Sequence, residues 1–316
     1  MHMRFARRWR MRAWLVVLGL VLAPVAAIQA QDAPTEEPPK PALYSLPWLL
    51  RPAIPGNVVR VDETMAFYED PGSGEAGQTY VTSLIFSYKV SPMLAIIFRE
   101  AWVTNSPPEG GPDTSGSAFS NGAVGANISC PFGDGWRWTG FVGSNIPWGS
   151  GGGDSPDPGD AAALTAGNAA RSQMEGSLFA VNYWTMIFGG DLTYVSPEIS
   201  LQAEATFFQL TRVRGPETQD SARANFTAGI HAAHFFSPAA SLGAEFRVQR
   251  WLSDVSAVAS DPTAREQFSF GIGPRFHIKL GEKAWFRPGL SYTRYLDKPL
   301  TSKDYNIVQL DLPFAF

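Results

Sequence analysis

The sequence predicts an all-β chain: a single antiparallel up-and-down β-barrel of about twelve strands that spans a membrane, with long loops at one end and short turns at the other. Three observations carry this prediction. Apolar and polar residues alternate through one segment of about a dozen residues after another, and a strand turns successive side chains to opposite faces. The connections between these segments alternate between one to three residues and longer polar stretches. The last segment pairs Val308, Leu310, Leu312, Phe314 and Phe316 on one face with Gln309, Asp311, Pro313 and Ala315 on the other. An apolar edge of that kind invites aggregation unless it is closed against another strand.

Composition narrows the class. The 316 residues are 45% hydrophobic and 17% charged, and the net charge of -4 gives no electrostatic footprint for nucleic acid. A mean hydropathy of -0.08 is too polar for a bundle of membrane helices, but barrels hide in such averages because their two faces alternate. The start of the chain reads differently from the rest. Arg4, Arg7, Arg8, Arg10 and Arg12 precede an apolar run from Ala13 to Ala27 with small residues near Ala30, the pattern of a secretory signal peptide over 1–30. Residues 31–56 read as a Pro-rich periplasmic lead-in, of which Gln31 to Pro47, rich in Pro and Glu, reads as disordered. The barrel is expected over 57–316. Cys130 is the only cysteine, so no disulfide within the chain is possible, and it reads as a small wall residue.

The expected strands run over 57–69, 78–90, 93–104, 118–130, 135–147, 178–195, 198–213, 222–236, 240–252, 266–280, 284–296 and 304–316. Their short connections are Ser91-Pro92, Gly133-Asp134, Pro197, Ser237-Pro238 and Gly281-Glu282-Lys283. Three of them follow an apolar residue with Ser-Pro, and Pro presets φ for a tight turn while contributing no donor to a ladder. The long connections include 105–117, 149–175 and 254–265. Alternation of faces alone would also fit a soluble β-sandwich, but a sandwich has no reason to alternate loop lengths. The loop asymmetry and the aromatic end of the chain resemble Gram-negative outer-membrane β-barrels of the porin-like kind, whose terminal Phe is an assembly signal. That resemblance implies location in the outer membrane, contact with its lipid, and recognition by the barrel assembly machinery through the strand ending at Phe316.

Parity sorts the residues into lipid and lumen. Ile199, Leu201, Phe226, Ile230, Leu242, Phe246, Phe268, Phe270, Ile272 and Phe276 share the lipid parity, and aromatics such as Trp102, Trp136, Trp138, Trp148, Tyr194, Phe235, Phe236 and Trp285 gather near strand ends as a girdle. Glu63 and Glu100 fall on the lipid parity, where a carboxylate is costly, so a bulge or a position beyond the hydrocarbon is expected. Trp251 and Trp285 fall on the lumen parity, where a bulge or a loop contact is expected.

Counting from the short turns places Glu204, His231, Glu245, Arg275 and Asp311 at one height inside, with Arg99, Asp191 and Arg247 near it. This mixed-charge belt fits either a salt-bridged wall that holds a narrow barrel closed or a constriction that selects solutes by charge. The loop 149–175 is either a surface loop or a segment folded into the mouth, with Asp160 as a helix cap. Its Asp residues lack the spacing of a calcium loop. No Ser is expected beside a His with a carboxylate behind it, and His231 and His277 sit at different heights, so no catalytic residue, metal or cofactor is expected. The function expected is a narrow passive channel for small solutes. The alternatives are a closed structural or adhesion barrel whose outer loops bind a partner, and an outer-membrane hydrolase.

Overall fold

The structure is a computed structural model and describes residues 44–111 and 114–316. The signal peptide expected over 1–30, and the lead-in as far as residue 43, lie outside the described residues.

Fifteen strand segments form one antiparallel sheet: β1 (Val58–Glu69), β2 (Ala76–Lys89), β3 (Leu94–Ser106), β4 (Gly116–Phe119), β5 (Gly122–Pro131), β6 (Trp136–Ile146), β7 (Tyr183–Val195), β8 (Ile199–Arg212), β9 (Ala222–Ser237), β10 (Ala240–Trp251), β11 (Glu266–Phe276), β12 (Ile278–Leu280), β13 (Ala284–Phe286), β14 (Gly289–Tyr295) and β15 (Asn306–Ala315). β4 and β5 are two pieces of one strand on β3, interrupted at Ser120-Asn121. β11 continues into β12 and β13 into β14 without a change of register, so the ring has twelve staves. β1 pairs with β15 from Val58↔Ala315 to Phe67↔Asn306, which closes the ring. Closure joins the first strand to the last, so the ring has no open side, as a wall in lipid requires.

The turns are short where expected, between β2 and β3, β5 and β6, β7 and β8, β9 and β10, and β12 and β13. Gly135 ends the second of these at φ +76°, and a Cβ there would meet the Val195 carbonyl at 2.4 Å, so the turn requires glycine. At the other end the loops 213–221 and 252–265 are tied together: Ser256 donates through both its N–H and its hydroxyl to Asp220. Burial would raise Asp220, but these donors and Arg223 outweigh it and hold the carboxyl below its usual range.

The outer face is apolar and open to the surroundings: Leu84, Ile96, Val142, Phe188, Ile230, Phe246, Phe270 and Leu290 all point away from the ring. In water such a belt would be an aggregation surface; around a closed ring it is the face of a transmembrane barrel. At the turn end Trp136 packs on Tyr194 and Phe132, and at the loop end Trp102 packs on Phe119. Phe235 does not belong to this girdle. It is buried inside and packs against His277. Glu63 and Glu100 do lie on the outer parity, and no bulge shifts them. Glu63 accepts from the hydroxyl of Thr82, its cross-strand neighbour, and Glu100 accepts from Trp148 Nε1 at 3.1 Å. Trp285 keeps the inner parity at the turn end, with the Arg287 guanidinium 5.6 Å from its ring.

Two segments enter the ring. From the turn side, residues 44–57 loop up into the lumen as far as Leu49 and Leu50 and return to the start of β1, and Tyr44, Leu46, Trp48, Leu49, Leu50 and Ala53 are buried there. The part of the lead-in over 44–56 is therefore not a disordered stretch outside the barrel. Leu46-Pro47-Trp48-Leu49-Leu50 is apolar enough to leave water once a cavity of matching shape is offered. From the loop side, the connection between β6 and β7 folds inward as α1 (Pro158–Ala170) and a short α2 (Gly176–Phe179). Asp157 caps α1 by accepting from the N–H groups of Gly159 and Asp160, so Asp160 is a first-turn residue and not the cap. Ala163, Leu164, Ala169 and Ala170 join Val81, Ala101, Val103, Tyr295, Tyr305 and Ile307 in the largest apolar cluster. Gly167 lets the helix lie on the wall, since a Cβ there would meet Val103 at 2.7 Å.

Candidate functional site

All eight residues expected inside the ring point inward, and of them only Arg99 and Glu204 border a cavity. Asp191, Glu204, His231, Glu245, Arg247, Arg275 and Asp311 are buried, and Arg99 is nearly so. What they line is a socket for the two inserted segments.

The belt breaks into three groups. Asp191 and Glu204 stand directly opposite each other on β7 and β8. Two facing carboxylates repel, and Arg51 of the N-terminal segment sits between them, 3.6 Å from Asp191 and 3.4 Å from Glu204. Its own N–H donates to Glu204 at 2.6 Å, and Gln202 bridges the Arg51 carbonyl to Asp191.

Glu245 holds the second group. The N–H groups of Trp48 and Leu49 donate to its two oxygens at 2.8 and 3.1 Å, an anion-binding pair of backbone amides of the kind that turns present. Arg247 Nε donates to the same carboxylate at 2.5 Å, and His231 Nδ1 lies 3.5 Å away on the cross-strand neighbour.

The third group is a chain of alternating charge. Arg275 and Arg60 both reach Asp311, at 2.6 and 2.5 Å. Arg60 lies 3.5 Å from Asp62, which stands opposite Asp311 across the β1–β15 seam. Arg171, from the loop segment after α1, donates to Asp62 at 2.8 Å and to both oxygens of Glu175 at 3.0 Å. Glu175 also accepts from Arg99. The relay thus runs across the ring and through the loop insert. The N-terminal segment joins it at the Trp48 carbonyl, which accepts from Arg60 and Gln309. Arg275 lies 4.3 Å over the Trp48 ring. Each cation has an anion within reach, which is the condition under which buried charges are tolerated.

Parity found the eight wall residues and missed five partners: Arg51, Arg60, Asp62, Arg171 and Glu175. Arg60 and Asp62 carry the inner parity of β1 and were legible there. Arg51 and the Arg171–Glu175 pair come from irregular segments in which no period exists to be read.

The two inserts meet near the middle of the lumen, where Leu49 and Leu50 pack on Met174. Beside this contact, toward β2–β9, a cavity of ≈ 80 Å³ remains. The histidines hold one surprise. Ser241 Oγ and His277 Nε2 are 2.9 Å apart, with Ser45 Oγ 3.2 Å beyond. Around His277 stand Phe235, Arg275 and Arg287, and among the described residues no carboxylate is hydrogen-bonded to it to make this a nucleophilic pair. Among the described residues no three His, Cys, Asp or Glu side chains converge as metal ligands.

No protein-family model matches this chain, and no curated protein sequence does. Solved structures do. An outer-membrane channel from Pseudomonas putida F1 superposes with a TM-score of 0.54 over 89% of this chain and 100% of that one, at 11% identity. The two chains share one barrel fold. The KdgM porin in complex with disordered oligogalacturonate covers 82% of this chain and 99% of its own at 8% identity, with a TM-score of 0.48. The translocator domain of the autotransporter NalP from Neisseria meningitidis covers 97% of both at 12% identity and 0.42.

Proposed function

We propose that this protein is a narrow passive channel of the Gram-negative outer membrane for small solutes, held shut at rest by its own N-terminal segment and by the loop that carries α1. One observation carries the reading. Beside their apolar packing, both inserts are held to the wall by hydrogen bonds and ion pairs, through Glu245, Glu204, Asp62 and Arg99, and polar contacts of this kind exchange with water when a segment moves. The similar fold of the Pseudomonas channel supports the placement. Arg99, Asp191, Glu204, His231, Glu245, Arg247, Arg275 and Asp311 would then line the passage once an insert withdraws. Export through the signal peptide over 1–30, insertion by the assembly machinery through the strand ending at Phe316, and the absence of an enzymatic activity belong to the same reading.

Planar bilayers test it. The full mature chain should give small, infrequent current steps, and deletion of 44–56 should raise conductance at least several-fold. No current from either protein at any voltage would sink the channel reading. The contact of Leu49 and Leu50 with Met174 favours the second reading, a permanently closed barrel that acts through its outer loops, and the same silent bilayer would support it.

A further inference from the structure

The cavity beside the inserts differs in chemistry from the rest of the lumen. Its wall is largely apolar: Ile85, Ile97, Phe141, Ile187 and Phe208 come from the strands, and Met174 from the loop insert. Gly125 and Gly143 flank the Phe141 ring so closely that a Cβ on either would lie 2.4 or 2.7 Å from it, so glycine at both positions is what seats an aromatic ring in this wall. A polar lumen that only passes ions has no use for such a chamber, because ordering water against apolar walls is unfavourable.

The charges bordering the chamber are already matched. Arg51 answers Glu204 and Asp191, and Arg99 answers Glu175. An ionic ligand would enter without a counter-charge of its own and would lose its hydration to an apolar wall. Hydrogen-bonding groups, by contrast, are left over. Asn145 is fully buried and lines the cavity, and neither its carboxamide oxygen nor its nitrogen has a partner. Arg51 Nε and Nη2 likewise have no acceptor at hydrogen-bonding distance, and this guanidinium lies 4.4 Å over the Phe141 ring. Buried polar groups in this state cost free energy until a partner arrives.

We propose that this chamber is a binding site for a small neutral amphipathic molecule: an apolar ring or chain lying along Phe141, Ile187 and Phe208, with one carbonyl or hydroxyl end reaching Asn145 or Arg51. Small-molecule sites are mostly apolar with a few placed polar groups, which is the character of this lining. The inference deepens the channel reading by naming a solute class, and it rests on that reading only for the ligand's passage, not for its binding.

The test uses crystals of the full mature protein soaked in 4-bromoacetophenone, 4-bromobenzoate or 4-bromobenzylammonium, which share a body and differ in charge. An anomalous bromine peak beside Phe141 is expected for the ketone alone. No peak from the ketone at saturation, or an equal peak from either ion, overturns the proposal. Calorimetry in detergent should show at least ten-fold weaker ketone binding for Asn145→Ala and for the cavity-filling Phe208→Trp. Retained heat-modifiable gel mobility would confirm that each variant folds, and unchanged affinity in both folded variants also overturns it. Bromine density in a protein that never conducts would leave the site standing and remove the channel. Conductance without bromine density would do the reverse.

Discussion

Glu245 is the residue on which the N-terminal segment turns. It receives two backbone N–H groups from that segment and one guanidinium from the wall, all in a fully buried setting. Removing one partner of a buried charge pair costs about 3–5 kcal/mol, mainly because the other is left uncompensated. Glu245→Ala should therefore lower the urea midpoint of the refolded barrel and at the same time raise open probability in bilayers, since Arg247 and the Trp48 and Leu49 amides lose their acceptor together. Glu245→Gln keeps the shape and one acceptor, and should fall between the two. If the alanine variant were destabilised with its conductance unchanged, Glu245 would be part of the wall alone. Asp191 with Glu204, and Asp62 with Asp311, teach a related lesson. Each couple places like charges opposite one another on neighbouring strands, and each is bridged by an arginine, Arg51 of the N-terminal segment in one case and Arg60 of β1 in the other.

At the scale of elements, α1 is held at three points. Asp157 caps its start, Tyr295 donates to the Ala169 carbonyl at its end, and Arg171 beyond it grips Asp62 and Glu175. Arg171→Met removes the last of these and leaves Asp62 and Glu175 with one cation fewer. Protease added from outside should then cut between 149 and 175 at least several-fold faster than in the parent, with the barrel itself intact; an unchanged cutting rate would show that apolar packing alone keeps the loop inside. The strands were legible in the sequence because a period of two writes both faces of a stave into consecutive residues, and the short Ser-Pro turns mark where each pair reverses. The strand expected to start at 178 begins only at Tyr183, because Gly176–Phe179 is wound as α2 and carries no alternation that could have warned of it. The lumen-facing charges were legible by the same parity. Arg51, Arg171 and Glu175 were not, since an irregular segment shows what it can bury but not where. The run Leu46-Pro47-Trp48-Leu49-Leu50, set within a Pro-rich stretch, was the one signal that the lead-in does not stay in water.

For the whole molecule the apolar belt and the closed ring make lipid the only surroundings in which the outer face is stable. The strand that ends the chain contributes to that belt with Val308, Leu310, Leu312 and Phe314, and Phe316 packs beside Phe314 with ring centres 5.8 Å apart. Deleting Phe316 removes one ring at the rim and no ladder inside the membrane, so refolding into detergent should be nearly unchanged. If the terminal ring is read by the assembly machinery, the amount inserted in cells should fall several-fold, as measured by heat-modifiable mobility in outer-membrane fractions. Equal losses in both settings would assign Phe316 to stability instead.

The seam between β1 and β15 has a further consequence, one of order in time. The carbonyl of Trp48 is held from both sides of that seam, by Arg60 on the first strand and by Gln309 on the last. The segment that includes Trp48 is made before any strand, yet its seat is complete only when the final strand has arrived. The Trp48 carbonyl therefore gains its second donor only as the ring closes, so the last strand both seals the wall and completes the seat of the inserted segment.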